Sequence, residues 1–255
     1  MQFGRLSPGS TAISFRKYFV SAGRADAVAR KEDSPMTEHN IPERDKTALL
    51  TVDLQRDFVR GDSPVRATGA GLVLPRVQAM LETFRARRAP IFHAVRLYRP
   101  DGSNVDLCRR AAVEEGLRVL MPGTLGAELL DEVRPKGAPR LDSVSLLSGE
   151  FQEIAEQEWV FYKPRWGAFF NTGLEDSLRA RGITTLVVSG CNFPTGTRAS
   201  IYEACARDFR VVVVSDAVSD ASDQGLRELG RLGAYLMTAE ACLDWLRGTQ
   251  SSSAA

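Results

Sequence analysis

The sequence has few of the residues on which metal sites, disulfide scaffolds and membrane spans depend. Its 255 residues include only two histidines, His39 and His93, so a site built from several histidines is excluded. The four cysteines are widely separated and form no Cys-x-x-Cys pair, which favours a reducing compartment over a disulfide scaffold. No apolar run approaches the roughly 20 residues of a membrane span. We therefore expect a soluble, cytoplasmic protein.

An excess of charge of one sign is also absent. The 33 lysines and arginines are balanced by 32 acidic residues, which gives a formal net charge of +1. Proteins that bind nucleic acid or membrane surfaces mainly by electrostatics need a basic excess. Neither nucleic acid nor a membrane is therefore expected as a partner. The apolar fraction of 44% is sufficient for a sizeable core.

The two ends of the chain differ in composition from its middle. Residues 1–31 contain six basic residues and one acid, a pattern typical of an organelle transit peptide. The alternative, which we favour, is an upstream extension of the reading frame with Met36 as the working start. Residues 1–36 are predicted to be a disordered N-terminal extension and residues 248–255 a disordered tail. One domain is expected over residues 47–247.

Between the ends, short apolar runs alternate with segments of helical periodicity. Continuous apolar strands that alternate with helices predict a parallel sheet covered on both faces. The expected fold is a three-layer α/β/α domain with a six-stranded parallel sheet. The predicted strands are 47–53, 90–95, 159–162, 183–190, 210–214 and 234–237, and the predicted helices are 72–88, 106–115, 126–133, 173–181, 195–207, 224–232 and 239–246.

Polar side chains at the ends of the predicted strands are candidate site residues, because ligands of parallel sheets bind beyond the carboxyl ends of the strands. Asp53 follows the first strand, where a buried carboxylate needs a partner, although an aspartate that caps a turn is the common alternative. Lys163 follows the third strand beside Trp166 and Phe169. Desolvation there would lower its pKa, unless it is a surface lysine lying over the aromatic rings.

The fourth strand runs into a glycine-containing turn over residues 190–198, GCNFPTGTR, ahead of a helix. Free backbone N–H groups at such a helix start can hold a carboxylate or stabilise a developing oxyanion. An ordinary strand-to-helix connection with small residues for packing is the alternative.

Three separated motifs follow one another in the chain: VDLQRDF, with Asp53; YKPRWGAFFNTGLEDSLRARG, with Lys163; and LVVSGCNFPTGTRASIYEACARDFRVVVVSDAVSD, with Gly196. Together they resemble the isochorismatase-like hydrolase superfamily over about residues 47–247. The resemblance implies a six-stranded parallel sheet and a homodimer or homotetramer. It also implies that most relatives are cysteine hydrolases of small amides with an Asp–Lys–Cys triad.

The sequence departs from that triad at the nucleophile, whose family position lies six residues after Gly190 and is occupied by Gly196. The isochorismatase branch also has glycine there and cleaves a vinyl ether with water. The implied catalytic set is therefore Asp53, Lys163 and Gly196, with Asp53 as the acid or base. Vinyl-ether cleavage delivers a proton to carbon, as a protonated Asp53 would. Lys163 would lower the pKa of Asp53 and burial would raise it, and the sequence leaves this balance open.

The resemblance also bears on which residues bind the substrate and on whether the site holds a metal. Some relatives bind a divalent ion through Asp-x-His after the second strand, but here Arg96-Leu97-Tyr98 stands there. No metal and no other cofactor is therefore expected. Arg96 and Arg165 are suited to a substrate carboxylate, or they are solvated arginines. The predicted substrate-binding residues are Arg96, Tyr98, Arg165, Trp166, Phe169, Asn192, Thr195 and Thr197.

The leading hypothesis is a hydrolase of a small molecule in specialised metabolism that works without the family cysteine. One alternative is an amidase that recruits Cys191, although such a cysteine is usually a small buried hydrophobe. A second is a catalytically inactive homologue that binds a small molecule. A third is a cysteine-to-glycine change introduced at position 196 in the laboratory.

Overall fold

A computed structural model of the chain describes residues 38–61 and 63–248. The extension predicted over residues 1–36 and, apart from Gly248, the tail predicted over 248–255 lie outside the described residues. Within the described ranges, no helix has both the length and the apolar character needed to cross a membrane.

A single sheet forms the centre of the fold. Its strands are β1 (Thr47–Val52), β2 (Ile91–Val95), β3 (Gln152–Ala155), β4 (Glu158–Tyr162), β5 (Thr185–Gly190), β6 (Arg210–Val218) and β7 (Tyr235–Met237). They lie in the order β3-β4-β2-β1-β5-β6-β7, and every pair except β3 with β4 is parallel. All residues of β1, β2 and β5 are buried because both faces of the sheet are covered.

The α/β/α fold is confirmed, but the sheet has seven strands among the described residues rather than six. All six predicted strands are present, and the additional strand is β3, which pairs antiparallel with β4 at the sheet edge. The strand is short, and Ile154 is its one buried residue. It therefore lacks the continuous apolar run by which the buried strands were recognised.

Helices cover the sheet as two outer layers. They are α1 (Arg56–Val59), α2 (Ala70–Ala86), α3 (Leu107–Glu114), α4 (Ser143–Leu147), α5 (Leu174–Ala180), α6 (Arg198–Cys205), α7 (Asp223–Arg231) and α8 (Ala239–Arg247). One apolar cluster joins α2 and α8 to one face of the sheet. A second cluster joins α5, α6 and α7 to the opposite face.

The helix predicted over residues 126–133 is wrong. A single 3₁₀ turn, Leu125–Ala127, occurs there, and Leu129 then forms an isolated antiparallel bridge with Gln55. Backbone hydrogen bonds from Arg56 N to Glu128 O and from Leu130 N to Leu54 O hold the segment against the chain that follows β1. Pairing with this distant segment outweighs the local helical preference.

Candidate active site

Asp53 lies directly after β1, the central strand, at the carboxyl edge of the sheet. Its backbone is left-handed, with φ of 54°, and its N–H donates to Ala94 O at 3.0 Å. The side chain is nearly buried, and Oδ2 lies 2.9 Å from the Nζ of Lys163. Oδ1 is also buried and has no hydrogen-bond partner among the described residues. One carboxylate oxygen is thus held by the lysine while the other is unpaired.

Lys163 lies at the carboxyl end of β4 and is fully buried. Its N–H donates to Val95 O at 2.9 Å, which continues the pairing with β2 one residue beyond the end of β4. Besides Asp53, its Nζ has the carbonyl oxygen of Arg165 at 3.5 Å. Burial raises the pKa of Asp53 although Lys163 opposes this shift, and burial lowers the pKa of Lys163 although Asp53 opposes it. In both groups the effect of burial on the pKa is therefore larger than the opposing effect of the partner's charge, which is the balance that the sequence left open.

Gly196 lies in a five-residue π-helical turn, Phe193–Thr197, between β5 and α6. A Cβ atom at this position would lie 2.7 Å from Asp53 Oδ2, 3.3 Å from Val52 Cγ1 and 3.4 Å from the carbonyl oxygen of Trp166. A side chain at residue 196 would therefore displace the carboxylate that faces Lys163. In the observed arrangement there is therefore no room for a side chain at residue 196 unless the Asp53 carboxylate shifts.

The backbone of this turn is partly used within the turn itself. The N–H groups of Thr195 and Thr197 donate to Asn192 O at 3.4 and 3.3 Å. These two N–H groups are therefore engaged within the turn, whereas the sequence analysis expected free N–H groups that could bind a ligand. The hydroxyl of Thr195 also donates to Asn192 Oδ1, which leaves the Asn192 amide NH₂ as a donor.

Cys191 directly follows β5 and is completely buried. Its thiol donates to Asp53 O at 2.9 Å, so the sulfur contacts the backbone of Asp53. Burial, and then the charge of Asp53, raise the pKa of this thiol well above its ordinary value. A thiolate is the reactive form of cysteine, so this environment suppresses nucleophilic chemistry.

Arg96 and Asp106 form a buried ion pair beneath the site. The guanidinium of Arg96 donates to Asp106 Oδ2 at 2.6 Å and to the carbonyl oxygen of Lys163 at 2.8 Å. Gln55 fixes the backbone of Arg96, since its amide donates to Arg96 O at 2.8 Å and accepts from Arg96 N at 2.7 Å. Arg96 therefore supports the chain that carries Lys163, and its charge is paired.

A second arginine, Arg109, approaches from the first turn of α3. It donates to the hydroxyl of Tyr98 at 2.9 Å, and that hydroxyl donates in turn to Asp106 Oδ2 at 2.9 Å. The direct distance from Arg109 to Asp106 Oδ2 is longer, 3.6 Å. Its guanidinium lies over the ring of Trp166, 4.9 Å from the centroid, in a cation–π contact.

These groups surround a small cavity, whose empty volume is about 320 Å³ when the open solvent at its mouth is included. Six of the predicted site residues line it. Five others do not: Gly196 and Thr197 are buried in the turn, Tyr98 accepts a hydrogen bond from Arg109, Arg165 is exposed and donates to Asn104 O and Pro164 O, and Phe169 packs against Phe209. The lining residues are Asp53, Phe58, Val65, Ala67, Arg96, Arg109, Lys163, Trp166, Asn192 and Thr195.

The residues that the sequence reasoning missed are Gln55, Asp106 and Arg109. Gln55 stands two residues after Asp53 at the same strand end, which was a usable signal. Asp106 and Arg109 are spaced i, i+3 at the start of a helix and therefore project together. Nothing in the sequence indicated that α3 would pack over the strand ends.

His93 lies away from the cavity within β2 and belongs to a buried polar row. Its Nδ1 lies 2.7 Å from Thr51 Oγ1, and its Nε2 lies 2.8 Å from Glu158 Oε1. Arg85 donates to both carboxylate oxygens of Glu158, at 2.8 and 2.7 Å. Across residues 38–61 and 63–248, no three His, Cys, Asp or Glu side chains gather in a way that could hold a metal ion.

Comparison with known proteins places this site in a family. The isochorismatase domain model matches residues 47–241. A protein named probable inactive nicotinamidase, from Arabidopsis thaliana, is 31% identical over 180 residues, which are 70% of this chain and 83% of that protein.

Solved structures give the same result. An isochorismatase family protein from Desulfovibrio vulgaris superposes with a TM-score of 0.68 at 30% identity, over 79% of this chain and 98% of that one. N-carbamoylsarcosine amidase from Thermoplasma acidophilum superposes with a TM-score of 0.60 at 26% identity, over 76% and 98%. With its strand-end carboxylate and lysine, the chain belongs to the isochorismatase family of hydrolases.

Proposed function

We propose that the chain hydrolyses a small molecule with the Asp53–Lys163 pair and without a cysteine nucleophile, by cleavage of a vinyl ether or a related bond. The observation that carries this proposal is the lack of room for a side chain between residue 196 and the Asp53 carboxylate. A Cβ atom at residue 196 would lie 2.7 Å from Asp53 Oδ2, so a cysteine there would push the carboxylate away from Lys163. This close approach supports a mechanism that works with glycine at residue 196.

Asp53 is proposed as the general acid. Its buried, unpaired Oδ1 borders the cavity, and burial raises its pKa in spite of Lys163. A protonated carboxyl group transfers its proton to the terminal carbon of the vinyl ether, which gives an oxocarbenium ion. Water then adds to that ion, and the proton it releases returns to the Asp53 carboxylate. The C–O bond of the resulting hemiketal breaks as its hydroxyl proton passes to the leaving oxygen, which releases an alcohol and a ketone. Lys163 orients the Asp53 carboxyl group throughout.

The test is pyruvate release from isochorismate, measured with purified wild-type protein, Asp53→Asn and Cys191→Ala. General acid catalysis contributes typically about 10²–10⁴-fold, so Asp53→Asn should lower the rate by at least about a hundredfold. Cys191→Ala should retain activity within a few-fold, because its thiol is buried outside the cavity lining. Release that survives Asp53→Asn would contradict the acid role. Release that is lost in Cys191→Ala would favour the thiol mechanism.

A second candidate, a binding protein without turnover, is favoured by the name of the Arabidopsis thaliana relative, probable inactive nicotinamidase. In that case a small molecule binds without being converted, and binding is insensitive to Asp53→Asn. The homodimeric or homotetrameric assembly, the cytoplasmic location and the role in specialised metabolism stay predictions of the sequence.

A further inference from the structure

The first turns of α6 are docked against the loop that follows β4. Ser200 is completely buried, and its Oγ accepts from Ala168 N at 3.0 Å while its hydroxyl donates to Gly196 O at 2.7 Å. A hydroxyl group can bridge two backbone groups in this way because it is both a donor and an acceptor. Ser200 therefore joins the backbone of the turn that carries Gly196 to the backbone of the loop that begins at Lys163.

Glu203 lies three residues further along α6, on the same side of the helix as Ser200. Its Oε2 accepts from Phe169 N at 2.8 Å. A Cβ atom at Gly167 would collide with the Glu203 carboxylate, so this carboxylate occupies the place that a side chain would otherwise fill. Together, Ser200 and Glu203 contact three consecutive residues of the loop, 167, 168 and 169.

These three residues directly follow Trp166, which forms an aromatic wall of the cavity. The carbonyl oxygen of Trp166 lies 3.4 Å from the place of a Cβ atom at Gly196, so the loop and the turn approach each other at the cavity. Lys163, at the start of the same loop, is held separately, because its N–H donates to Val95 O and its carbonyl oxygen accepts from Arg96. The contacts with α6 therefore bear on Trp166 more than on Lys163.

From these contacts we infer that Ser200 and Glu203 are positioning residues, which act through the backbone of residues 167–169 to set the distance between Trp166 and the turn at Gly196. That distance fixes the width of the cavity and hence the size of the substrate that packs against the indole ring. Neither residue lines the cavity itself. The contact of Trp166 with a substrate rests on the proposed function, whereas the position of Trp166 does not.

Fluorine NMR of protein labelled with fluorotryptophan tests the position of Trp166 without any turnover. The chain has three tryptophans, and the resonances of two of them are assigned with Trp166→Phe and Trp245→Phe. Ser200→Ala should shift or broaden the Trp166 resonance, because the loop loses its hydrogen bond from Ala168 to α6. The Trp245 resonance should stay unchanged, because Trp245 packs on the opposite face of the sheet.

Ser215→Ala is the matched control. Its Oγ likewise donates to a backbone carbonyl oxygen, that of Met237 at 3.2 Å, at a place outside the cavity lining, so this change should leave the Trp166 resonance in place. Glu203→Ala should move the Trp166 resonance, whereas Glu203→Gln keeps an acceptor for the N–H of residue 169 and should preserve it. The two Glu203 variants decide the question if thermal melts show that Ser200→Ala does not fold. A Trp166 resonance that stays in place in either folded alanine variant, or that moves equally in Ser215→Ala, would overturn the inference.

The kinetics of pyruvate release from isochorismate connect the position of Trp166 with substrate binding. A displaced wall weakens the binding of substrate and transition state alike, so Ser200→Ala should raise KM at least about tenfold while kcat stays within about twofold. A variant that is merely less stable would instead lose active protein and show a lower kcat at the wild-type KM. An unchanged KM in a variant whose Trp166 resonance has moved would overturn the assignment of cavity width to these residues. No release by the wild type would refute the proposed reaction alone, because the NMR result does not depend on turnover.

Discussion

Replacing Glu158 by glutamine should remove a large part of the acid sensitivity of folding. Glu158 is the first residue of β4, and its side chain is fully buried. Burial alone would raise its pKa, but the hydrogen bonds from Arg85 and His93 outweigh burial and lower the pKa to about 2. A group whose pKa is lowered on folding stabilises the native state above its unfolded pKa, and this contribution disappears as the pH falls through the folded pKa.

The magnitude follows from the shift. A pKa lowered from 4.5 to about 2 corresponds to about 3 kcal/mol of stability near neutral pH. Of this, about 2 kcal/mol is lost by roughly pH 3, because the carboxylate is then protonated in the unfolded chain but still largely ionised in the fold. The difference in free energy of unfolding between wild type and Glu158→Gln should therefore shrink by about 2 kcal/mol over that range.

Urea denaturation of both proteins at a series of pH values measures this difference. Subtracting the two profiles removes the contribution of every other carboxyl group that both proteins share. Profiles that run parallel from neutral to acidic pH would refute the assignment of this acid sensitivity to Glu158. Glu82→Gln, at an exposed position of α2, is a suitable reference for the effect of neutralising a surface carboxylate.

Three further outcomes are expected. Gly196→Ala should lower hydrolysis at least about tenfold and destabilise the fold by about 1–3 kcal/mol, since the new methyl group displaces the Asp53 carboxylate; unchanged kinetics would contradict the contact described above. In native protein, iodoacetamide should alkylate the exposed Cys108 and leave the buried Cys191 unmodified until urea is added, as peptide mass mapping will show. Gln55→Leu should lower the free energy of unfolding by about 2–5 kcal/mol in urea titrations, because it leaves several buried backbone groups without partners; a loss below about 1 kcal/mol would speak against this role.

The sequence was most informative about the buried strands and their ends. The apolar run that ends at Asp53 locates the central strand, and Pro164 marks where the strand before it must stop, so both members of the Asp53–Lys163 pair could be placed at one sheet edge. Their distance and the outcome of their opposing pKa effects depend on burial, which periodicity does not measure. The short edge strand β3 was not recognised because only one of its four side chains is buried.

The composition of the cavity was harder to predict, because it depends on segments that are distant in the chain. Arg165 looked suited to a substrate anion beside Lys163, yet its side chain turns outward to Asn104 O. Arg109 lies 54 positions before Lys163 in the chain, and only the packing of α3 over the sheet edge brings it to the same cavity. Side-chain direction after a strand end is a property of tertiary packing, and a single sequence does not encode it in a readable pattern.

The left-handed backbone at Asp53 has a consequence for how this enzyme can change. Aspartate and asparagine tolerate such a conformation better than other residues with side chains, so most replacements at position 53 meet a steric penalty as well as a chemical one. Asparagine keeps the backbone and removes only the acid. Under the proposed mechanism, a single replacement of aspartate by asparagine removes the chemistry while the fold and the cavity persist, which is a short mutational route from a hydrolase to a receptor for the same ligand.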